Sequence, residues 1–160
     1  MEEVKAGKEI QLVTFKLKNE EFGINVHKVD RINRFKEDEV TKVPKAPDYI
    51  IGVVNRMGRI LPVVDLRRRL GFEPKPSDKY TRVIDYRLED DSMVGFMVDE
   101  VTGVKRIYQD QIEPSPPIIA GIESEYISGI CRLDEGLIIL LDLDRLLTPA
   151  EKEKLKEVVK

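Results

Sequence analysis

The sequence predicts a mainly β protein built as two small barrels that share a joint core. Three observations carry this expectation. The stretch Ile50–Leu70 holds two short apolar runs rich in β-branched residues, Ile50–Val54 and Ile60–Val64, on either side of a polar turn containing Gly58. That is a hairpin signature. The stretch then recurs: Tyr49-Ile50-x-Gly52-Val53 returns as Tyr126-Ile127-x-Gly129-Ile130, and Asp65-Leu66 as Asp142-Leu143, each 77 residues later. Upstream, Gly23-x-x-Val26-x-x-Val29-x-x-Ile32 returns 72 residues later as Gly95-x-x-Val98-x-x-Val101-x-x-Val104. Unequal offsets are what loop insertions inside a duplicated β-rich module produce, and each copy alone is too small to bury a large core.

Taken in order, Ile10–Leu17 has apolar residues on both faces of an extended strand, Ile10 and Leu12 on one and Val13, Phe15 and Leu17 on the other. Such a strand belongs between two cores. Asn19–Glu21 supplies a turn before the next strand. His27–Arg34 reads as a strand or a helical turn, because Val26, Val29 and Ile32 recur every third residue. Those residues either plug the barrel or stay exposed as an apolar strip for a partner helix, with Val98, Val101 and Val104 as the counterpart. Val43–Pro47 reads as a rigid, extended approach to the hairpin, since each proline biases its predecessor away from helix. After the hairpin, Asp65 opens a short helical turn, Leu66 to Leu70, and Gly71 stands where a left-handed cap is needed. The proline-rich Glu73–Lys79 is the expected seam between copies. Tyr80–Leu88 and Ser92–Val98 form a second hairpin about an acidic turn, and Pro114–Gly121 is a loop that carries the apolar pair Ile118 and Ile119. At the end, Thr148-Pro149-Ala150-Glu151 reads as a capping box opening a helix with Leu155 and Val158 as its apolar contacts.

Composition limits the functions. A chain of 160 residues, 41% hydrophobic, can bury one moderate core or two small joined ones. No apolar run nears the ~20 residues needed to span a bilayer, and the charged amino terminus has no apolar signal region, so a cytoplasmic location is expected. The single cysteine, Cys131, excludes an internal disulfide and a thiolate metal cluster; it sits in an apolar strand and reads as a small hydrophobe. His27 has no second ligand at metal spacing, no phosphate loop is present, and Asp90/Asp91 and Asp134/Glu135 fall in turns, so no catalytic group and no cofactor are expected. The net charge of −3 argues against a nucleic-acid binder. Arg56, Arg59 and Arg67–Arg69 form a basic cluster without interleaved aromatics and read as a solvated helix face rather than a phosphate patch.

The run from Glu20 to Leu70, together with VGFMVDEVTGV and EYISGICRLDEGLIILLDLDRLL, resembles the CheW-type chemotaxis coupling proteins over almost the whole chain. The resemblance implies two five-stranded, SH3-like barrels on a joint core, in a single domain over residues 10–147: a first barrel over about 18–85, a second over about 86–147 plus the strand 10–17, then a C-terminal helix over 148–160. It implies a non-catalytic adaptor without cofactor, recruited to membrane-associated arrays, whose partners are a chemotaxis histidine kinase and the cytoplasmic domain of a chemoreceptor. A regulatory module of the kinase or coupler-receiver type, or an oligonucleotide-binding barrel, is the alternative. The receptor-binding groove would take Val13, Val26, Val29, Ile32, Val101 and Val104; the kinase-binding surface would take Gly52, Val54, Gly58, Ile60 and Val83, with Ile118 in a second contact. The hairpin turn here reads Asn55-Arg56-Met57-Gly58, with its arginine displaced by one position from the family pattern, and Arg31 stands where an acid is usual. Arg31 is therefore expected to pair with Asp30 or Glu100.

Overall fold

A computed structural model describes residues 7–159. The strands are β1 (Glu9–Leu17), β2 (Glu20–Asn25), β3 (Val29–Arg34), β4 (Ile50–Arg56), β5 (Arg59–Asp65), β6 (Arg82–Arg87), β7 (Met93–Val98), β8 (Glu100–Tyr108), β9 (Ile112–Glu113), β10 (Ile118–Ile119), β11 (Ile122–Glu123), β12 (Ile127–Leu133) and β13 (Gly136–Leu141). The helices are α1 (Leu66–Arg69), α2 (Leu143–Leu146) and α3 (Pro149–Val158). One sheet runs β3-β6-β7-β5-β4, the other β8-β1-β2-β13-β12-β9, and β10–β11 is a small separate hairpin. No helix among the described residues is long and apolar enough to cross a membrane.

Both sheets follow one plan. In each, a parallel pair joins a repeat glycine strand to a repeat hairpin: Gly95 of β7 lies beside Val63 of β5, and Gly23 of β2 beside Leu140 of β13. Each sheet then closes on itself. Thr41, beyond β3, exchanges two backbone hydrogen bonds with Val53 (2.8 and 2.9 Å), and β9, beyond β8, pairs with β12. Closure brings backbone against backbone at Gly52, where a Cβ would fall on the Thr41 carbonyl oxygen, so only glycine fits.

The division between barrels differs from the expected one. β2 cannot leave β1, because the two-residue turn Lys18–Asn19, both at positive φ, locks them into one hairpin from Leu12↔Asn25 to Leu17↔Glu20. That hairpin belongs to the second barrel, and the hairpin β6–β7 belongs to the first. The first barrel therefore spans β3 to β7; residues 20–25 and 93–98 each sit in the barrel opposite to the one expected. The Glu73–Lys79 loop is a seam between repeats in sequence, yet it joins two parts of a single barrel.

β1 does lie between two cores. Its Val13, Phe15 and Leu17 enter the joint core with Phe22, Ile84, Phe96 and Leu143, while Leu12 enters the second barrel with Ile107, Cys131 and Ile138. The first barrel holds its own cluster of Val54, Leu61, Val63, Val83 and Met93. Two polar clamps tie the barrels together. Arg67 of α1 donates two hydrogen bonds to Asp99 (2.7 and 2.8 Å), which also accepts from the Lys18 N–H. At the repeat-related position on α2, 77 residues on, Asp144 accepts from the Glu89 N–H (2.8 Å) and pairs with Lys28 (3.4 Å), so the same joint is built with the charges exchanged. The Thr148 capping box, the left-handed Gly71 and the buried Leu155 stand as expected. Two loops differ: Pro44–Lys45 makes a turn with Lys45 at positive φ rather than an extended run, and 114–121 holds the β10 strand.

Candidate partner-binding surfaces

The every-third-residue spacing of Val26, Val29 and Ile32 has a structural cause. A single 3₁₀ turn over Val26–Lys28 leads into β3, whose pairing with β6 shifts between Val29↔Tyr86 and Arg31↔Asp85. The extra residue, Asp30, is a bulge that returns Ile32 to the face occupied by Val29. The repeat has the same bulge: Phe15 pairs with Val101 and Thr14 with Gly103, so Thr102 is the extra residue and Val101 and Val104 share a face. The Thr102 hydroxyl meets that of Thr14 (2.7 Å) and the Glu21 carboxylate (2.8 Å), which fixes the bulge.

Each strip thus starts inside and runs out. Val26, Val29 and Val101 pack half-buried against the joint core, whereas Ile32 is 41% and Val104 59% exposed. Val13, across the strands from Val104, is 2% exposed and is a core residue, which corrects its assignment to a contact surface.

The hairpin surface needs a larger correction. Val54 and Val83 face the interior of the first barrel, where alternation along β4 and β6 points them, and Gly52 is consumed by barrel closure. None of the three can present a side chain to a partner. Gly58, Ile60 and Ile118 are exposed. The most exposed apolar side chain of the group is Met57 (83%), at positive φ in a turn held by the Gly58 N–H donating to the Asn55 side chain (2.7 Å).

Beneath that turn lies a buried charge. Asp85 is 1% exposed and accepts from Arg56 (3.0 Å) and from Asn33 (3.1 Å); burial pushes its carboxyl up, opposed by Arg56 and Asn33. An acid on the same strand face as Val83 was the signal for it in the sequence. Arg56 therefore does have an ion pair. Arg31 does not pair with Asp30 or Glu100: Asp30 approaches Arg87 (3.8 Å), and Arg31 meets no carboxylate among the described residues.

Of the Arg67–Arg69 face only Arg68 is solvated as expected. Arg67 is held by Asp99, and Arg69 reaches Glu151 of α3 (2.8 Å), so both guanidinium groups are structural and unavailable to phosphate. His27 is exposed, and burial pushes the Cys131 thiol up, which makes it a poor nucleophile.

This architecture, with paired bulged strands and a closed hairpin in each half, has known relatives. The CheW-like domain matches residues 11–151. The chain belongs to the CheW-like family. It is 35% identical to the chemotaxis protein CheW of Klebsiella aerogenes over 94% of this chain and 89% of that one, and 31% identical to the CheW of Treponema pallidum over 92% and 87%. The crystal structure of the scaffolding protein TtCheW from Thermoanaerobacter tengcongensis superposes with a TM-score of 0.80 at 28% identity, covering 94% of this chain and 96% of that one. In this CheW-like chain the two SH3-like barrels and their joint core are those of the family.

Proposed function

We propose that the chain is a non-catalytic chemotaxis adaptor that couples the cytoplasmic tips of chemoreceptors to a histidine kinase in membrane-associated signalling arrays. The observation that carries the reading is the pair of bulged strips, because each repeat brings an apolar residue, Ile32 or Val104, out of the joint core into solvent. The receptor tip, a helix, would lie along Val26, Val29, Ile32, Val101 and Val104, and burying side chains of this size contributes ~1.5–3 kcal/mol each. The kinase would dock on the exposed part of the first hairpin, Gly58 and Ile60 with Met57, and touch Ile118 in a second contact. An oligonucleotide-binding role is disfavoured, since three arginines of the basic cluster, Arg56, Arg67 and Arg69, are paired within the protein and no aromatic residue interleaves with the cluster.

Calorimetric titration with a receptor cytoplasmic fragment and with the kinase tests the reading. Ile32→Asp and Val104→Asp are expected to weaken receptor binding by more than about tenfold while leaving kinase binding and the melting midpoint unchanged. Absence of binding to either protein at tens of micromolar would overturn the adaptor role.

A further inference from the structure

The tip of the β4–β5 hairpin carries more positive charge than the protein neutralises. Arg31, Arg56 and Arg59 line a cavity of about 110 Å³ at the base of the turn, together with Asp30, Met57 and Asp85. Asp85 is committed to Arg56, and Asp30 leans toward Arg87. Arg31 and Arg59 meet no carboxylate among the described residues; the one polar contact of Arg59 is the Asp91 backbone carbonyl, at 3.4 Å. The two unpaired guanidinium groups therefore face a space large enough for a carboxylate. In such a partly enclosed space charge-assisted hydrogen bonds to a planar carboxylate are strong and directional.

What flanks the cavity decides the kind of occupant. Met57 and Ile60, both exposed, stand beside the arginines, and a thioether on an unbranched stem adapts to an apolar recess. No aromatic ring lines the cavity, so a nucleotide base gains nothing there. A protein surface that combines a carboxylate with an apolar pocket satisfies both halves of the site.

We propose that this cavity receives an aspartate or glutamate side chain from the kinase surface that docks on the first barrel, with Met57 seated in an apolar pocket beside it. The proposal rests on the adaptor reading and adds the chemistry of the partner. The carboxylate lies between Arg31 and Arg59, and Arg56, held by Asp85, sets the position of the turn without contacting it.

Titration of the wild-type chain, Arg31→Glu, Arg59→Glu and Met57→Ala with the kinase regulatory domain from the same organism tests it. Each arginine reversal is expected to weaken binding by about tenfold or more and to remove most of its salt dependence, while Met57→Ala weakens it at every salt concentration alike. Melting midpoints stay at the wild-type value, since none of the three side chains has an ion pair to lose. Kinase binding that survives both reversals unchanged overturns the carboxylate site and leaves the adaptor role intact. No kinase binding by the wild-type chain overturns both. Sedimentation that shows self-association of the wild-type chain, lost in Arg59→Glu, makes a second copy the occupant and overturns the assignment to the kinase.

Discussion

Asp85 in the first barrel and Thr14 in the second occupy the same place in the repeat. Each lies across the strands from its repeat glycine, Gly95 and Gly23 respectively, on the inward face, and each is buried. Thr14 satisfies its hydroxyl with a neighbouring hydroxyl and the Gly103 carbonyl; Asp85 needs a guanidinium and an amide, and one of its oxygens still has no hydrogen-bond partner. The same fold thus tolerates a neutral pair in one barrel and an ion pair in the other. The ion pair costs desolvation, and it fixes where the hairpin tip sits. The barrels also differ in charge. Residues 29–98 hold fourteen Lys and Arg against twelve Asp and Glu, a net of +2, whereas residues 9–28 and 99–147 hold seven against thirteen, a net of −6. A charged partner therefore approaches the two ends with opposite bias.

The sharpest way to break this comparison is to remove each polar group. Asp85→Ala strands Arg56 in a largely buried site and is expected to lower stability by about 3 kcal/mol in urea unfolding, against about 1 kcal/mol for Thr14→Val. Equal losses would mean that Arg56 swings out to water once its partner is gone.

A smaller contrast lies at the closure points. Gly52→Ala sets a methyl against the Thr41 backbone at positive φ and is expected to cost about 2 kcal/mol. At the repeat-related Gly129 the first obstacle is the Ile112 side chain, which can turn away, so Gly129→Ala is expected to cost about 1 kcal/mol by the same measurement. A reversed order would show that β9 is held more rigidly than the Thr41 bridge.

The weakest effect concerns α3, which is pinned to the first barrel through Glu151. Burial raises the Glu151 carboxyl, but the Thr148 N–H and Arg69 outweigh it and hold the group below its ordinary value. The stability it contributes is complete above the unfolded carboxylate pKa and is lost as pH falls through the lowered folded value. Glu151→Gln is expected to cost about 1 kcal/mol at pH 7 and progressively less as pH falls below the ordinary carboxylate range, read from melting midpoints across that series.

Much of this was legible in the residues. Alternating apolar faces on β1 placed it between two cores, the hairpins and the Thr148 cap followed from turn and capping chemistry, and the repeat announced two barrels. Which hairpin completes which barrel was not legible, because a repeat pattern is unchanged when equivalent strands trade places. The surface residues failed for a related reason: Val54 and Val83 face the interior of the first barrel and Val13 faces the joint core, and a list of apolar positions does not say which face is covered. The bulges at Asp30 and Thr102 hid behind a spacing of three, which fits neither strand nor helix. Arg56 and Asp85 lie 29 residues apart, and only tertiary pairing brings them together.

The interchange of hairpins also constrains how the chain can be divided. A cut in the Glu73–Lys79 loop separates one repeat from the other, yet β1–β2, which belong to the second barrel, would leave with β3–β5, and β6–β7, which belong to the first, would leave with β8–β13. The two pieces could regain closed sheets only by reassociating, each lending the other a pair of strands.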